Sequence, residues 1–329
     1  AQNAARHPNS PLEPLFRALY TVHPSFDIND VDVVMDRNNL RKILSFVDPA
    51  SSRNGVEPFT IDVEVNNATV VFCRVETATT EFIGPNDFHG YGHEFEKAYT
   101  TETTPGSTGH HRIISYRFGG MHCIVRYKTD AYVEDTATPP TRSDKATDSN
   151  SNDDLSGLLS SLSLAQANRP SAKEATALPG SKLRVTRQGH SVLPGSTLEI
   201  KTRVAHRRLE FSGVAPQLWF SQTPKLVRAY HIFEVPRVED VVKDVKRWER
   251  ANQVHLRKLA ALISRLLQVV KEHGGRCMIK CENGQEHTLT VYSNGLGKKM
   301  LPPDLYSKWG CKANTGADAE TQQTVKVGV

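Results

Sequence analysis

The sequence has no run of about 18 apolar residues, the length a helix needs to cross a bilayer, and its first residues carry no apolar signal-peptide core. A soluble, intracellular protein without membrane association is expected. Cysteine is scarce and odd in number, five in 329 residues, with none of the spacing of a disulfide scaffold, which fits a reducing compartment. Cys277 and Cys281 are spaced to share one face of a strand, but two further metal ligands are missing beside them, so buried thiols are expected. His89 and His93 are separated as a helical pair, yet no carboxylate completes a zinc-protease motif. The chain also lacks an Asp-Asp-x-x-Asp motif, which excludes the magnesium–diphosphate chemistry of prenyl diphosphate synthases. Charge of one sign does not dominate: 41 Lys and Arg against 36 Asp and Glu give +5, which permits an anionic partner without requiring one.

What is present organises around Thr197-Leu198-Glu199-Ile200-Lys201-Thr202, the only Glu-x-Lys triplet in the chain, set in an apolar, β-prone run. Alternate side chains of a strand face the same way, so Glu199 and Lys201 project together while Leu198 and Ile200 face a core. Upstream, Val125-Arg126-Tyr127-Lys128-Thr129-Asp130 offers a second strand ending in a carboxylate. Hydrolysis of a phosphodiester needs oxygen ligands for a hard divalent cation and a positive group for the attacking water or the developing charge. A strand with Asp beside one with Glu-x-Lys supplies both, a pattern that resembles the PD-(D/E)XK nuclease fold.

The remaining sequence fits around these strands. Residues 1–30 read as a surface arm with a short helix near Leu15–Tyr20. Val31–Met35 reads as a strand, and Asn38 or Asn39 can cap the apolar helix that follows, with Arg37 at the junction, where a guanidinium can reach phosphate. Phe59–Val65 and Ala68–Val75 alternate around Asn66-Asn67, a hairpin signal, with Asp62 and Glu64 on its solvated face. Gly90–Thr100 reads as a turn entering a helix that can lower Glu96 into the site of Asp130 and Glu199. A second hairpin turns at Gly119-Gly120 and delivers Asp130. Residues 135–191 are rich in Ser, Thr, Asp, Asn, Pro and Ala and read as a low-complexity disordered insertion, with a leucine-bearing segment at 153–164 that can dock on a protein partner. Beyond the Glu199 strand come a helix with Trp219 and Gln222, a strand at Leu226–Phe233, a long amphipathic helix over Val238–Lys271, a final hairpin and a surface tail over 295–329. Residues 31–134 and 192–294 are expected to form one α/β (α+β) domain, a mixed sheet flanked by helices.

In this order the motifs resemble the DXO family of decapping and 5′-to-3′ exoribonucleases, a branch of the PD-(D/E)XK fold. Asp36-Arg37-Asn38-Asn39-Leu40 is similar to the family's strand–arginine–helix opening, which makes Arg37 its phosphate-facing arginine. Gly92-His93-Glu94-Phe95-Glu96 matches the glycine-to-glutamate helix motif, with His93 at a position the family keeps apolar, and makes Glu96 a metal ligand. Leu198–Thr202 matches the Glu-apolar-Lys motif, and Leu218-Trp219-Phe220-Ser221-Gln222 resembles the helix after it, which implies that Gln222 contacts the scissile phosphate or the nucleotide. The resemblance implies Mg²⁺ or Mn²⁺ held by Glu96, Asp130, Glu199 and the Ile200 carbonyl, with Lys201 beside the attacking water. It also implies RNA 5′ ends as substrate, a nuclear or cytoplasmic role in RNA surveillance, and a larger 5′-to-3′ exoribonuclease as a protein partner.

One position departs from the pattern. Where the family carries Glu-x-Asp, this chain has Lys128-Thr129-Asp130. Lys128 and Asp130 share a strand face, so a cation replaces an anionic metal ligand and repels a divalent ion, or neutralises substrate phosphate instead. Two readings follow. The protein is a metal-dependent hydrolase of RNA 5′ ends, or it keeps the nuclease fold as a catalytically weakened RNA-binding or scaffold protein.

Overall fold

The computed structural model describes residues 6–52, 54–76, 91–134, 176–177, 181–230, 236–282, 288–294, 299–310 and 324–328. In chain order the elements are α1 (Glu13–Val22), β1 (Val33–Asp36), α2 (Arg37–Val47), β2 (Phe59–Asn66), β3 (Thr69–Arg74), α3 (Gly92–Tyr99), β4 (His110–Phe118), β5 (Met121–Thr129) and β6 (Ala131–Tyr132). The short strands β7 (Thr176–Ala177) and β8 (Arg184–Val185) pair with each other. Then come β9 (Thr197–Arg203), α4 (Ala215–Ser221), β10 (Lys225–Tyr230), β11 (Val238–Asp240), α5 (Val242–Ala251) and α6 (Gln253–Glu272). The chain closes with β12 (Arg276–Cys281), β13 (Thr288–Ser293), α7 (Pro303–Tyr306) and β14 (Thr324–Gly328).

Eight strands form one mixed sheet in the order β14-β13-β12-β2-β3-β1-β5-β4, and a second sheet of four runs β11-β10-β9-β6. In the first sheet β1 is parallel to both β3 and β5. Central parallel strands are covered on both faces, which explains why Val33-Val34-Met35 and Val70-Val71-Phe72 are unbroken apolar runs. Val33, Met35, Val70, Phe72 and Val125 enter a core beneath Leu40, Ile43 and Leu44 of α2 and Leu259, Ile263 and Leu266 of α6. Val34, Val71 and Ile124 face the other way, into a second core shared with α1.

The two hairpins turn as the sequence requires. Asn67 takes φ 53° between β2 and β3, a left-handed conformation that Asn tolerates. Gly119 and Gly120, with φ 57° and 82°, form the β4–β5 turn, where both central residues need positive φ. Gly119 is doubly constrained, because a Cβ there would stand 2.4 Å from the Ala260 Cβ of α6.

Several elements differ from the sequence expectation. The first 30 residues and the stretch after 295 are not merely surface: Leu12, Leu15, Phe16 and Leu19 pack with Leu301, Leu305, Tyr306 and Trp309 in the second core. Phe16 and Trp309 meet edge to face at 5.4 Å, and the Trp309 indole N–H donates to the Thr69 hydroxyl at 2.9 Å. Trp309→Ala is therefore expected to cost about 3–5 kcal/mol, the usual penalty for emptying a buried aromatic site, seen as a lowered urea midpoint with the slope kept. Glu64 is buried rather than solvated, and its carboxylate accepts from the Met300 N–H at 3.0 Å. The helix expected over Val238–Lys271 begins as β11, which pairs antiparallel with β10, and then breaks at Asn252. Open edge groups of β10 outbid local helix propensity at Val238–Asp240, and the Asn252 side-chain amide donates to the Trp248 carbonyl at 2.8 Å to close α5. Cys73, Cys123, Cys277 and Cys281 are buried free thiols, and burial pushes Cys277 up to about 11. His89, most of the 135–191 insertion and its leucine-bearing segment lie outside the described residues. Among the described residues no helix is long and apolar enough to cross a membrane.

Candidate active site

The site forms where the ends of β1, β5 and β9 meet helices α2, α3 and α4. Its frame is an ion pair that the sequence pattern did not single out. Asp36 lies opposite Arg126 in the β1–β5 register, and the Arg126 guanidinium donates to both carboxylate oxygens, from Nε at 2.6 Å and from NH2 at 2.9 Å. Bidentate pairing of this kind has little orientational slack. Asp36 is thereby occupied and makes no side-chain cap for α2, so neither Asn38 nor Asn39 is the cap and the helix begins directly at Arg37. The first side chain of α2 is aimed across the gap at β9.

Glu199 is the centre. Only 2% of the residue is exposed. One carboxylate oxygen accepts from the Lys201 ammonium at 2.6 Å and from the Gln217 amide, and the other accepts from the Arg37 guanidinium at 3.1 Å. Burial works against its ionisation, but the charges of Lys201 and Arg37 prevail and hold the carboxyl below the usual range. Arg37 also lies over the Tyr127 ring, 5.2 Å from its centre, so its plane is held on two sides.

Asp130 is close by and in the opposite state. Its carboxylate accepts from the Ile200 N–H at 2.9 Å, yet burial and then the negative charge of Glu199 push it up to about 7. Glu96 comes from α3, which is seated by Phe95 against Leu198, Ile200 and Val227. It accepts from the Lys128 ammonium at 2.9 Å, and the same ammonium stands 3.6 Å from Asp130. Lys128 thus bridges two of the three carboxylates. Desolvation draws its pKa down, but these two acids outweigh it and the net shift is upward.

The structure brings Glu96, Asp130, Glu199, Lys201, Lys128 and Arg37 into one network, with the Ile200 backbone bound to Asp130. Gln222 is not part of it. The residue ends α4 in a left-handed conformation (φ 52°), is exposed, and donates its amide to the Trp219 carbonyl at 2.7 Å. The glutamine that touches the site is Gln217, one turn earlier and buried. A long polar side chain on the otherwise apolar face of Ala215, Leu218 and Phe220 was the one sequence signal for it. His93 is exposed and only loosely associated with Glu96, at 4.0 Å.

Among the described residues, no three His, Cys, Asp or Glu side chains are arranged to hold a metal ion as they stand. The chemistry of the donors is nevertheless that of a hard-cation site. Glu96, Asp130 and Glu199 are oxygen ligands of the type Mg²⁺ and Mn²⁺ take, and Asp130, held up to about 7 by burial and by the charge of Glu199, stands directly beside Glu199. The residues fit one divalent ion at Asp130 and Glu199. They do not fit two, because the Lys128 ammonium lies between Glu96 and Asp130.

A family model described as a domain of unknown function (DUF8563) matches residues 1–309. No curated protein matches the chain by sequence. Among solved structures, Scheffersomyces stipitis Rai1 is 11% identical with a TM-score of 0.54, over 91% of this chain and 80% of that one. Candida albicans Rai1 in complex with pU5 and Mn²⁺ is 11% identical with a TM-score of 0.54, over 90% of this chain and 80% of that one. Scheffersomyces stipitis Rai1 in complex with (3′-NADP)⁺ and a calcium ion is 12% identical with a TM-score of 0.50, over 84% of this chain and 71% of that one. At these identities what is shared is the fold, that of the Rai1 structures, in keeping with the DXO-like fold that the motif order led one to expect.

Proposed function

We propose, for a chain that belongs to the DUF8563 family and has the Rai1 fold, that it hydrolyses phosphate linkages at RNA 5′ ends in the site around Glu199. The observation that carries this reading is the buried Glu199 carboxylate held between Lys201 and Arg37 and flanked by Asp130 and Glu96. A structural ion pair needs one partner of each sign. Three carboxylates gathered with three cations where strands of two sheets meet α2 and α3 form a site for a highly charged ligand, and the related folds carry pU5 with Mn²⁺ or a dinucleotide with calcium.

Asp130, Glu199 and the Ile200 carbonyl would hold Mg²⁺ or Mn²⁺, and Glu96 would join them where Lys128 releases it. Bound there, the ion would polarise the phosphoryl oxygen and acidify a water. The residues of the chain do the rest. Lys201, held at 2.6 Å by Glu199, is fixed where its ammonium can orient the attacking water and take up negative charge in the transition state. Arg37, braced by Glu199 and Tyr127, presents its remaining N–H groups to a phosphate. Gln217 holds Glu199 in its rotamer and leaves the carboxylate little freedom to swing toward solvent.

A second reading is favoured by Lys128. Its ammonium already neutralises Glu96 and Asp130, so the site can bind phosphate with a protein cation where related enzymes use a metal. The protein then recognises RNA 5′ ends and cleaves them weakly.

The deciding assay offers RNAs with a 5′-monophosphate, 5′-triphosphate, unmethylated cap, NAD cap or 5′-hydroxyl, in Mg²⁺, Mn²⁺ or EDTA. Release of the end group or nucleotides that requires a divalent ion and a 5′-phosphate linkage is the expected result. Equal cleavage of the 5′-hydroxyl RNA would overturn a 5′-end activity, and tight binding of phosphorylated ends without turnover in any ion would select the second reading.

A further inference from the structure

Strand β9 does not stop at the catalytic pair. Glu199, Lys201 and Arg203 are successive residues of one strand face, so Arg203 projects on the same side, roughly 7 Å further along the chain. Immediately beyond, Val204–Arg208 turns back with the Arg207 N–H bonded to the Val204 carbonyl at 3.0 Å, and all five residues are exposed. From Ile200 to Leu209 the sequence contains Lys201, Arg203, His206, Arg207 and Arg208 and no acid.

The cations of this stretch and its neighbour strand differ in how they are paired. Lys201 is bound to Glu199, and Arg228, which sits opposite Lys201 on β10, is bound to Glu239 at 3.1 Å. Arg203, Arg207 and Arg208 have no ion-pair partner among the described residues. Three guanidiniums that no acid pairs, the first on the strand face of Glu199 and Lys201 and the other two in the exposed turn that follows, form a positive strip next to the site. Such a strip attracts a chain of regularly spaced negative charge, and contacts to phosphate position a nucleic acid without reading its sequence.

We propose that Arg203, Arg207 and Arg208 form a track for the phosphate backbone of single-stranded RNA, which holds the strand downstream of a 5′ end seated at Glu199. The proposal rests on the function argued above, and it adds that affinity grows with RNA length through these three residues. Single-strand contacts contribute about 0.7 each to the slope of log affinity against log salt, so the full track is worth a slope of about 2.

The test is binding of labelled 5′-phosphorylated U2 and U10, and of 5′-hydroxyl U10, in EDTA from about 50 to 200 mM salt, the range over which such slopes are read. Wild type is compared with Arg203→Gln/Arg207→Gln/Arg208→Gln and with the exposed pair Arg207→Gln/Arg208→Gln. Wild type is expected to bind U10 more tightly than U2, and the triple variant to lose that advantage and about 2 of the salt slope while U2 binding is unchanged. The double variant should fall between. Unchanged U10 affinity and slope in the triple variant, with a 5′-phosphate still strengthening binding, overturns the track and leaves the site reading intact. If the 5′-phosphate makes no difference but the triple variant still weakens U10, the track stands and the 5′-end reading falls. Displacement of U10 by polyglutamate as effectively as by unlabelled RNA, charge for charge, assigns the strip to acidic peptides, and failure of wild type to bind U10 in EDTA overturns the track.

Discussion

Glu199→Gln is expected to lower hydrolysis of RNA 5′ ends by about 10²–10³-fold or more, the range for losing one preorganised charged group from a reacting site. Gln keeps the shape of the side chain and so isolates the charge. The amide can present only one acceptor oxygen where Glu199 now serves Lys201, Gln217 and Arg37. Its nitrogen would face one of those donors, so the network that aims Lys201 and Arg37 is broken as well. Removing one partner of a buried pair costs about 3–5 kcal/mol. The figure here should fall toward or below the low end of that range, because Lys201 is partly exposed and both cations can turn toward water or Asp130. A urea titration run beside the cleavage assay separates the two effects. A variant that is folded at the assay temperature and cleaves as wild type does would remove Glu199 from the reaction.

Lys128→Glu should have the next largest effect, and in the opposite direction. It removes the ammonium that bridges Glu96 and Asp130 and puts a fourth carboxylate in its place. A unit charge about 4 Å from another is worth about 4 kcal/mol at an effective dielectric near 20, so Mn²⁺ affinity should rise on the order of a hundredfold even after solvent relaxation. Without metal the added repulsion should lower the melting temperature, and Mn²⁺ should restore it by binding only the folded state. Calorimetric titration of wild type and variant with Mn²⁺, together with melting in EDTA and in Mn²⁺, checks both halves. Gained activity in the variant from a silent wild type would make Lys128 the residue that turned a nuclease site toward binding. Equal Mn²⁺ affinity in the two proteins would show that the ammonium swings clear and does not compete for the site.

Much of this was legible in the residues. Glu199 and Lys201 alternate on a strand whose other face is apolar, and a two-residue period in a half-buried strand leaves no other arrangement. The Gly119-Gly120 turn demands positive φ and announces its hairpin, and the Asn pair announced the other, although that chain turns one residue later, at Asn67-Ala68, with Asn66 still paired to Thr69 in the ladder. Arg37 was readable as a junction residue because it stands between an apolar strand and an amphipathic helix. Other features depended on partners far away in sequence. Gln217 and Gln222 occupy the same short helix, and only the packing of α4 decides that the first reaches Glu199 while the second caps its own helix. Asn38 or Asn39 reads as the cap of α2, but the helix already starts at Arg37, behind an Asp36 whose carboxylate Arg126 holds. Val238–Asp240 reads as the start of a helix, but the edge of β10 claims it. Trp309 reads as part of a surface tail because nothing local says that Phe16 and Thr69 await it.

By itself the sequence determined the strand that carries Glu199 and Lys201, the two tight hairpins, the apolar faces of the principal helices and the cation at Lys128. Each of these is set by short-range rules: side-chain period, turn conformation and the charge on a residue. Tertiary structure decided which charges meet. Coulomb and hydrogen-bond energies depend on distances between side chains that lie 162 residues apart in the Arg37–Glu199 pair and 90 apart in the Asp36–Arg126 pair. Whether a carboxylate is a buried ion, as Glu199 is, or sits near neutrality, as Asp130 does, follows from burial and neighbours that exist only once the two sheets and their helices have packed.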